Sequence, residues 1–216
     1  MPSTPAPGRR ERNARERYGR IFDAAAALFA ERGFDGTTTQ EIAERADVGA
    51  GTLFRYAATK GELFLMVYNE QLRAAIDEGT RRAARAPEVT AAVATLVGTV
   101  LEGAHDVQNA AVYQRELLFG GTAEKYRGEG LALVARLEDL VATRLLDAVD
   151  PDRRRGPALV VAATRAARSV FAVLNLLLAQ PLTGAHPGAD TAEELREQVA
   201  QIVQGFLASS VEDTPR

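Results

Sequence analysis

The most restrictive feature of this chain is a series of closely spaced helix signals between residues 38 and 62. Thr38 and Glu41 have the spacing of a capping box, in which a hydroxyl and a carboxylate bond the free backbone N–H groups at a helix start. The sequence DVG at 47–49 predicts a tight turn soon afterwards. Thr59 and Glu62 repeat the capping-box spacing and predict the start of a longer helix. The segment is therefore expected to fold as short helices packed at a fixed angle rather than as one continuous helix.

A second short helix is expected directly after this turn, from about residue 50 to residue 56. Two short helices joined by a glycine-containing turn are typical of a helix-turn-helix, whose second helix enters the major groove of DNA. The inward side chains would be Ile42, Ala43, Ala46, Val48 and Leu53, and the outward ones Ala50, Gly51, Thr52, Arg55 and Tyr56. A generic helical hairpin inside a bundle is the alternative, which spacing alone does not reject. Against it, the second helix has little apolar surface to hold it inside a bundle.

The rest of the sequence predicts an all-α protein. Alanine, leucine, arginine and glutamate dominate, and alternating β-branched runs are absent. A first amphipathic helix is expected to end at Gly33, and Thr191 with Glu194 predicts a capping box for the last helix. The helices expected after Pro87 lie at about 88–104, 107–119, 122–149, 157–180 and 191–209.

The block at 158–178 is apolar on most sides, so a helix there must be buried on several faces. It belongs either to the core of one subunit or to an interface between subunits, and the pattern leaves both open. Its most apolar run, 169–179, is shorter than the roughly 20 residues of a membrane span, and no apolar leader begins the chain. We therefore expect no membrane segment. The absence of cysteine makes the reducing cytoplasm the expected location.

Composition and motifs argue against an enzyme and against a metal site. The sequence shows neither a P-loop nor a nucleophile elbow. His105 and His186 are its only histidines, and no carboxylate cluster of metal-ligand spacing accompanies them. No catalytic residue, metal or cofactor is predicted. The net charge of -3 means that any nucleic-acid surface has to be local.

A family resemblance becomes clear in the segment RIFDAAAALFAERGFDGTTTQEIAERADVGAGTLFRYAATKGELF. The segment is similar to the N-terminal domain of the TetR family of transcriptional regulators, without a gap from about residue 17 to residue 68. The resemblance implies a homodimer that binds a near-palindromic operator in double-stranded DNA. It also implies a repressor that a small-molecule effector releases from DNA. A regulator controlled by a protein partner, or acting as an activator, is the alternative.

The resemblance divides the chain into three parts. Residues 1–14 are expected to form a flexible basic arm, residues 15–62 the helix-turn-helix domain, and residues 63–212 a helical domain for effector binding and dimerisation. A long helix would join the last two parts, and the last two helices would form the dimer interface. The arm and the residues after it hold Arg9, Arg10, Arg12, Arg15, Arg17 and Arg20. They either reach DNA phosphates or an adjacent minor groove, or form a solvated tail.

The family's DNA contacts transfer to matching positions of this sequence. These positions are Thr38, Thr39, Gly49, Ala50, Thr52, Phe54, Arg55, Tyr56 and Lys60. Thr52 and Arg55 match recognition-helix contacts, and Arg55 would read guanine or grip a phosphate. The backbone contacts implied are Thr38, Tyr56 and Lys60. Polar groups common in the family are missing at Gly49, Ala50 and Phe54, and an aromatic ring is missing at Ala57. Affinity is therefore expected to come largely from the DNA backbone.

Candidate effector contacts are polar side chains within otherwise apolar helices. They are Tyr113, Arg115, Glu116, Arg168 and Asn175. For Asn175 the alternatives are a hydrogen bond to a neighbouring helix or to its mate across a dimer, because an unpaired buried amide is costly. For Arg115 and Glu116 the alternative is a surface ion pair. The apolar surroundings indicate an apolar or amphipathic effector.

Overall fold

The protein was analysed as a computed structural model that describes residues 8–104, 106–121, 124–149, 156–184 and 186–212. These residues form nine α-helices and no strands, which confirms the predicted all-α fold. The helices are α1 (Arg9–Arg32), α2 (Thr39–Arg45), α3 (Ala50–Leu53), α4 (Lys60–Ala83), α5 (Val89–Gly103), α6 (Val107–Phe119), α7 (Lys125–Asp147), α8 (Pro157–Thr183) and α9 (Thr191–Glu212). His105 lies outside the described residues.

Two of the three helix starts with predicted capping signals follow those signals. Thr38 and Glu41 form the expected capping box on α2. Thr59 caps α4 by accepting a hydrogen bond from the backbone N–H of Glu62. The prediction for α9 was wrong in its cap residue, because Asp190 rather than Thr191 accepts hydrogen bonds from the N–H groups of the first turn. An aspartate immediately before the helix is as good a cap as a threonine, and its position leaves Thr191 inside the first turn.

Two helix boundaries in the N-terminal part of the chain differ from the predicted ones. Helix α1 begins at Arg9, so residues 9–14 are helical rather than part of a flexible arm, while residues 1–7 lie outside the described residues. An ion pair between Glu11 and Arg15, one helical turn apart, supports this early start. Helix α3 ends at Leu53 instead of Tyr56, and the N–H groups of Arg55 and Tyr56 bond carbonyls three residues back. The last turn is therefore tighter than an α-helix.

The buried side chains form two clusters that meet within α4. The first, called here the head cluster, joins α1, α2, α3 and the first part of α4, through Val67. The second, the bundle cluster, joins the rest of α4, from Ile76, to α5, α7, α8 and α9. Leu117 of α6 and Tyr126 of α7 are buried in the head cluster although they lie far along the chain. The first turns of α4 likewise pack with α1, α2 and α3 rather than with the bundle.

Helix α8 combines a buried face with an exposed apolar face. Ala163, Ala167 and Val170 are fully or almost fully buried, whereas Val161 and Leu176 are exposed. Among the described helices, α8 is long and apolar enough to cross a membrane by length and composition. A single helix of this kind is weak evidence for a membrane span, because core helices of globular proteins pass the same test. In this structure α8 packs against α6, α7 and α9.

Candidate DNA-binding surface and effector cavity

Ion pairs between α1 and the helix-turn-helix fix the orientation of α2. Glu31 accepts two hydrogen bonds of 2.9 Å from the Arg45 guanidinium, and Arg32 donates one of 2.7 Å to Glu41. The hydrogen bond from Arg45 lowers the pKa of Glu31, and the hydrogen bonds from Thr38 lower the pKa of Glu41. Both carboxylates therefore stay ionised at neutral pH. These bonds link α1 to α2 on the exposed surface of the two helices.

The exposed surface of α3 and the following turn is small and nearly uncharged. Gly49, Ala50 and Gly51 are exposed, and Thr52 is half-buried. The Arg55 side chain is exposed and, among the described residues, has no ion-pair or hydrogen-bond partner. Its guanidinium is therefore available to a base edge or a phosphate.

Two departures from the family pattern have different structural meanings. Phe54 is 46% exposed, so its ring lies on the outer surface and can make apolar contacts there. Ala57 is 3% exposed and packs in the head cluster. The aromatic ring missing at this position is therefore missing from the core and not from the outer surface that would read DNA.

Thr38 and Thr39 lie at the N-terminus of α2. The Thr38 hydroxyl donates to the Glu41 carboxylate at 2.8 Å and accepts from the Glu41 N–H at 3.2 Å. A DNA phosphate would have to share this hydroxyl with the helix's own carboxylate. Thr39, half-buried, follows as the first residue of α2.

Lys60 and Tyr56, two expected phosphate contacts, already have partners inside the protein. The Lys60 ammonium donates to the carbonyls of Phe34 and Thr37 at 3.0 and 3.1 Å, and it lies 4.2 Å from the centre of the Phe34 ring. The Tyr56 hydroxyl donates to the carbonyl of Ala14 in α1 at 3.2 Å. In this structure both side chains hold the head together, and their contacts with DNA remain a prediction.

The first turn of α1 presents a cluster of positive charge. Arg9, Arg10 and Arg12 are exposed, and none has an ion-pair partner among the described residues. Arg20, one of the arginines further along α1, instead pairs with Asp47 of the turn between α2 and α3 at 3.2 Å. The free charge is therefore concentrated at the N-terminal end of α1.

A cavity of about 320 Å³ lies between α4, α5, α6, α7 and α8. Its apolar lining includes Leu72, Ala75, Val100, Leu137, Phe171 and Leu178. Its polar lining consists of Tyr68, Gln71, Asp106, Asn109, Tyr113, Gln114 and Asn175. Cavities of this size and character are the usual binding places for small organic molecules.

The structure separates the five predicted effector contacts. Tyr113 and Asn175 line the cavity, and Asn175 accepts hydrogen bonds from Gln114 through its backbone oxygen at 2.9 Å and its side-chain oxygen at 3.2 Å. Arg115 and Glu116 do not line it. Instead they pair with each other at 3.0 Å, with the Arg115 guanidinium 5.3 Å from the centre of the Phe34 ring.

Glu116 and Arg168 have structural positions outside the cavity. The Glu116 carboxylate lies so close to Gly61 that a Cβ atom there would collide with it, which places α6 directly against the first turn of α4. Arg168 lies on the exposed side of α8 and approaches Glu138 of α7 at 3.9 Å. The three charged candidates are thus surface or junction residues.

Sequence reasoning missed most of the polar lining. Asn109 and Gln114 lie on the same face of α6 as Tyr113, and helical spacing from Tyr113 would have found Asn109. Asp106 caps α6 by accepting hydrogen bonds from the N–H groups of Gln108 and Asn109. Burial raises the pKa of Tyr68 to about 12, with the Asp106 charge as a second cause, so this hydroxyl stays protonated at neutral pH.

A second cavity of about 520 Å³ adjoins the first near the ends of α5, α8 and α9. The two share Ala104, Ala110 and Leu178 as lining residues. Charged lining residues of the second cavity are Glu102 and Asp190. Two of these three shared residues are alanines, so Leu178 is the one large side chain among them.

These features define a class of protein: a helix-turn-helix DNA-binding unit joined to a helical domain with an internal cavity. Residues 21–67 match the family model described as bacterial regulatory proteins, tetR family. The structure is similar to that of Thermus thermophilus FadR, a TetR-family transcriptional repressor in complex with lauroyl-CoA. The TM-score is 0.66 and the identity 27%, over 87% of this chain and 93% of that one. The chain therefore matches the TetR family of transcriptional regulators in its helix-turn-helix head and shares the fold of a TetR-family repressor.

Two relatives show how the similarity is distributed. The transcriptional regulator TcmR of Streptomyces glaucescens is 29% identical over 76% of this chain and 75% of its own length. The transcriptional repressor KstR of Mycolicibacterium smegmatis is 40% identical, but over 33% of this chain and 35% of its own length. The match to KstR thus spans about a third of that repressor. Identity is higher in the short match than in the long one.

Proposed function

We propose that this protein is a homodimeric repressor that binds a near-palindromic operator and is released by a small apolar or amphipathic effector. The observation that carries the proposal is a cavity of about 320 Å³ whose walls include α4, the helix that begins in the DNA-binding head. An effector in this cavity contacts a helix that also positions α2 and α3. It can shift the operator equilibrium only by binding one arrangement of the heads better than another.

The DNA-binding part of the proposal rests on the exposed surface of the head. Arg55 supplies the free charge next to α3, and Thr52 is the hydroxyl beside it. Arg9, Arg10 and Arg12 supply charge at the start of α1. Base reading is assigned to Thr52 and Arg55, and sequence-independent affinity to the α1 arginines and the backbone of the head.

The chemistry of the cavity limits the effector. Its described lining holds one carboxyl group, that of Asp106, and no lysine or arginine. The amides of Gln71, Gln114 and Asn175 offer neutral donors and acceptors within an apolar wall. An apolar body with a hydrogen-bonding oxygen suits this lining, and a strongly anionic group would have to remain outside it.

The dimer part of the proposal rests on α8. Val160, Val161, Leu176 and Leu182 of this helix are among the large hydrophobic side chains that the isolated subunit exposes. An exposed apolar helix face of this kind is typical of a subunit interface. A twofold-symmetric pair would join α8 and α9 of one subunit to those of its partner.

The operator is tested by selecting bound sequences from random duplexes with the full-length protein. We expect an enriched near-palindrome. Arg55→Ala should weaken binding to it by about 1–3 kcal/mol and relax specificity at one base position of each half-site. The matched control is Arg85→Ala, which removes the same charge beyond the far end of α4. A selection that enriches no sequence would contradict the proposal.

The effector is tested with three probes that share one alkyl chain: 1-dodecanol, lauric acid and lauroyl-CoA. Calorimetry measures their binding to the protein, and a labelled operator measures release. We expect 1-dodecanol to bind more tightly than lauric acid, because the cavity offers hydrogen bonds but no cation. Gln71→Arg should reverse this preference, and Gln71→Glu serves as its control. If none of the three probes binds and an experimental structure shows the cavity closed, control by a protein partner is favoured.

The dimer is tested by light scattering on the full-length protein. Leu176→Arg should shift the mass from dimer to monomer, because it places a charge in the proposed interface. Leu118→Arg, at an exposed leucine of α6, is the matched control and should leave the mass unchanged. A wild-type monomer at the concentration where operator binding saturates would overturn this part.

A further inference from the structure

We propose that a buried chain of hydrogen bonds, Tyr113–Asn69–Tyr126–Glu62, couples the occupancy of the cavity to the DNA-binding head. The chain begins at the hydroxyl of Tyr113, a residue that lines the cavity, and ends at a carboxylate in the first turn of α4. It rests on the proposed function, since it concerns how an effector acts on DNA binding. It assigns a positioning role to Asn69, which the sequence patterns did not single out, and to Glu62, which they singled out only as part of a capping box.

The cavity end of the chain is the hydroxyl of Tyr113. It donates to the side-chain oxygen of Asn69 at 2.7 Å. Burial raises the pKa of Tyr113, so the hydroxyl keeps its proton at neutral pH. A tyrosine has one O–H group to donate. An effector with an acceptor oxygen beside Tyr113 therefore competes with Asn69 for the same proton.

The middle of the chain is Asn69, which is 1% exposed. Its amide nitrogen donates to the backbone carbonyl of Tyr126 at 2.8 Å, so the amide bonds α6 through its oxygen and α7 through its nitrogen. Helix α7 packs tightly here, because a Cβ atom on Gly130 would lie 2.8 Å from the Asn69 oxygen and 3.2 Å from the Tyr113 oxygen. Moving Tyr113 therefore disturbs a contact with little free space.

The head end of the chain is Glu62, which is 2% exposed. Its carboxylate accepts hydrogen bonds of 2.9 Å from the backbone N–H groups of Tyr126 and Arg127. These N–H groups belong to the first turn of α7 and have no partner within that helix. Glu62 of α4 thus caps α7. This contact also explains why Thr59 and Glu62 form only half of the capping box that their spacing predicts.

Tyr126 joins the two halves of the chain. Its carbonyl is held by Asn69, its N–H is held by Glu62, and its ring is buried in the head cluster. A displacement of the first turn of α7 therefore reaches the packing of the head and the first turn of α4 at once. Lys60, in the same first turn of α4 as Glu62, connects this turn to α2. Its ammonium donates hydrogen bonds to the carbonyls of Phe34 and Thr37, in the segment before α2.

The first experiment measures hydrogen exchange at the backbone amides of Tyr126 and Arg127 by NMR. Tyr113→Phe removes the first hydroxyl of the chain without changing the shape of the side chain. We expect exchange at both amides to accelerate at least several-fold. The matched control is Tyr68→Phe, which removes a hydroxyl from the same cavity but outside the chain. Unchanged exchange in Tyr113→Phe would overturn the proposal, and so would equal acceleration in both variants.

The second experiment measures operator dissociation constants with and without 1-dodecanol, and the binding of 1-dodecanol by calorimetry. In the wild type, we expect the probe to weaken operator binding by about 5- to 150-fold, the usual range of coupling between two sites. In Glu62→Gln and Tyr113→Phe, the probe should still bind while this ratio falls toward one. Tyr68→Phe should keep the wild-type ratio. Retained coupling in both chain variants would overturn the proposal.

The two experiments separate this inference from the proposed function. If no probe changes operator binding in the wild type, the effector-release function fails, whereas the exchange experiment still decides whether the chain transmits a change. If 1-dodecanol releases the operator equally from wild type and Tyr113→Phe, the function stands and the chain fails. Circular dichroism on each variant checks that it is folded.

Discussion

The head and the bundle are both made of amphipathic helices, yet they are held together differently. The head cluster contains stacked and edge-on aromatic rings: Phe64 lies 5.0 Å from Phe29, 5.2 Å from Phe34 and 4.1 Å from Tyr68, centre to centre. In the bundle cluster, Phe206 is the one buried aromatic residue among the described residues, and the other buried residues are aliphatic. Aromatic rings in contact prefer a few relative orientations, whereas aliphatic side chains impose no such preference on the bundle. The difference matches a rigid reading unit and an adaptable binding unit.

The strongest test of this comparison is a pair of core truncations. Phe64→Ala in the head should cost about 3–5 kcal/mol, and Leu96→Ala in the bundle about 2–5 kcal/mol. Because α4 belongs to both clusters, we expect each variant to shift a single unfolding transition. Urea titrations followed by far-ultraviolet circular dichroism and by tyrosine absorbance measure this. Two separate transitions would show that the two clusters unfold independently and would contradict the view that α4 joins them.

A second test concerns the tight contact between the two regions at α7. Gly130→Ala should destabilise the protein by about 1–3 kcal/mol, because the added methyl group collides with Asn69 and Leu117. Gly128→Ala on the same helix should stabilise it by about 0.5–1 kcal/mol, because nothing lies within 4 Å of the new atom. Thermal unfolding compares the two variants with wild type. Equal effects would mean that α7 can shift away from the head at little cost.

A third test compares two helix caps. Thr38→Ala, at the start of α2, and Asp190→Ala, at the start of α9, should each cost about 1 kcal/mol of stability. Only the first should also weaken operator binding, because only α2 belongs to the DNA-binding head. Operator titrations at equal fractions of folded protein make the comparison. If Asp190→Ala weakened operator binding as much, stability rather than position would explain both results.

The smallest expected effect is on acid stability. Hydrogen bonding to Arg45 lowers the pKa of Glu31 in the folded state, so the pair stabilises the fold above the unfolded pKa and the effect is lost as pH falls through the folded pKa. Glu31→Gln should flatten the fall of the melting temperature below about pH 4.5. Arg45→Gln, which removes the other partner, should give the same flattened profile. A profile identical to that of wild type would show that the pair is fully screened by solvent.

The helix-turn-helix could be predicted from sequence because its signals are local. Thr38 and Glu41 are three residues apart, and their capping box formed as expected. The helix that Thr59 opens also begins as predicted, but the Glu62 carboxylate bonds α7 instead of its own N-cap. A local sequence pattern contains no information about a partner more than sixty residues away, so the capping of α7 by Glu62 could not be predicted.

The cavity could be predicted only in part for the same reason. Tyr113 and Asn175 were found because a polar side chain in an apolar helix demands a partner. Arg115 and Glu116 satisfied the same rule but face the head, since position around α6 decides which neighbour each side chain meets. The direction of a helix face depends on packing between distant segments.

The burial of Leu117 and Tyr126 in the head cluster bears on how such proteins can be recombined. A chimera that joins residues 1–62 of this chain to another family member's helical domain would sever Leu63–Val67, Leu117 and Tyr126 from the rings they cover. The donor head would then meet foreign side chains where its own core ends. A chimera that keeps the head folded has to include the first turns of α4. The α6 and α7 helices of the other protein also have to supply side chains that match Leu117 and Tyr126.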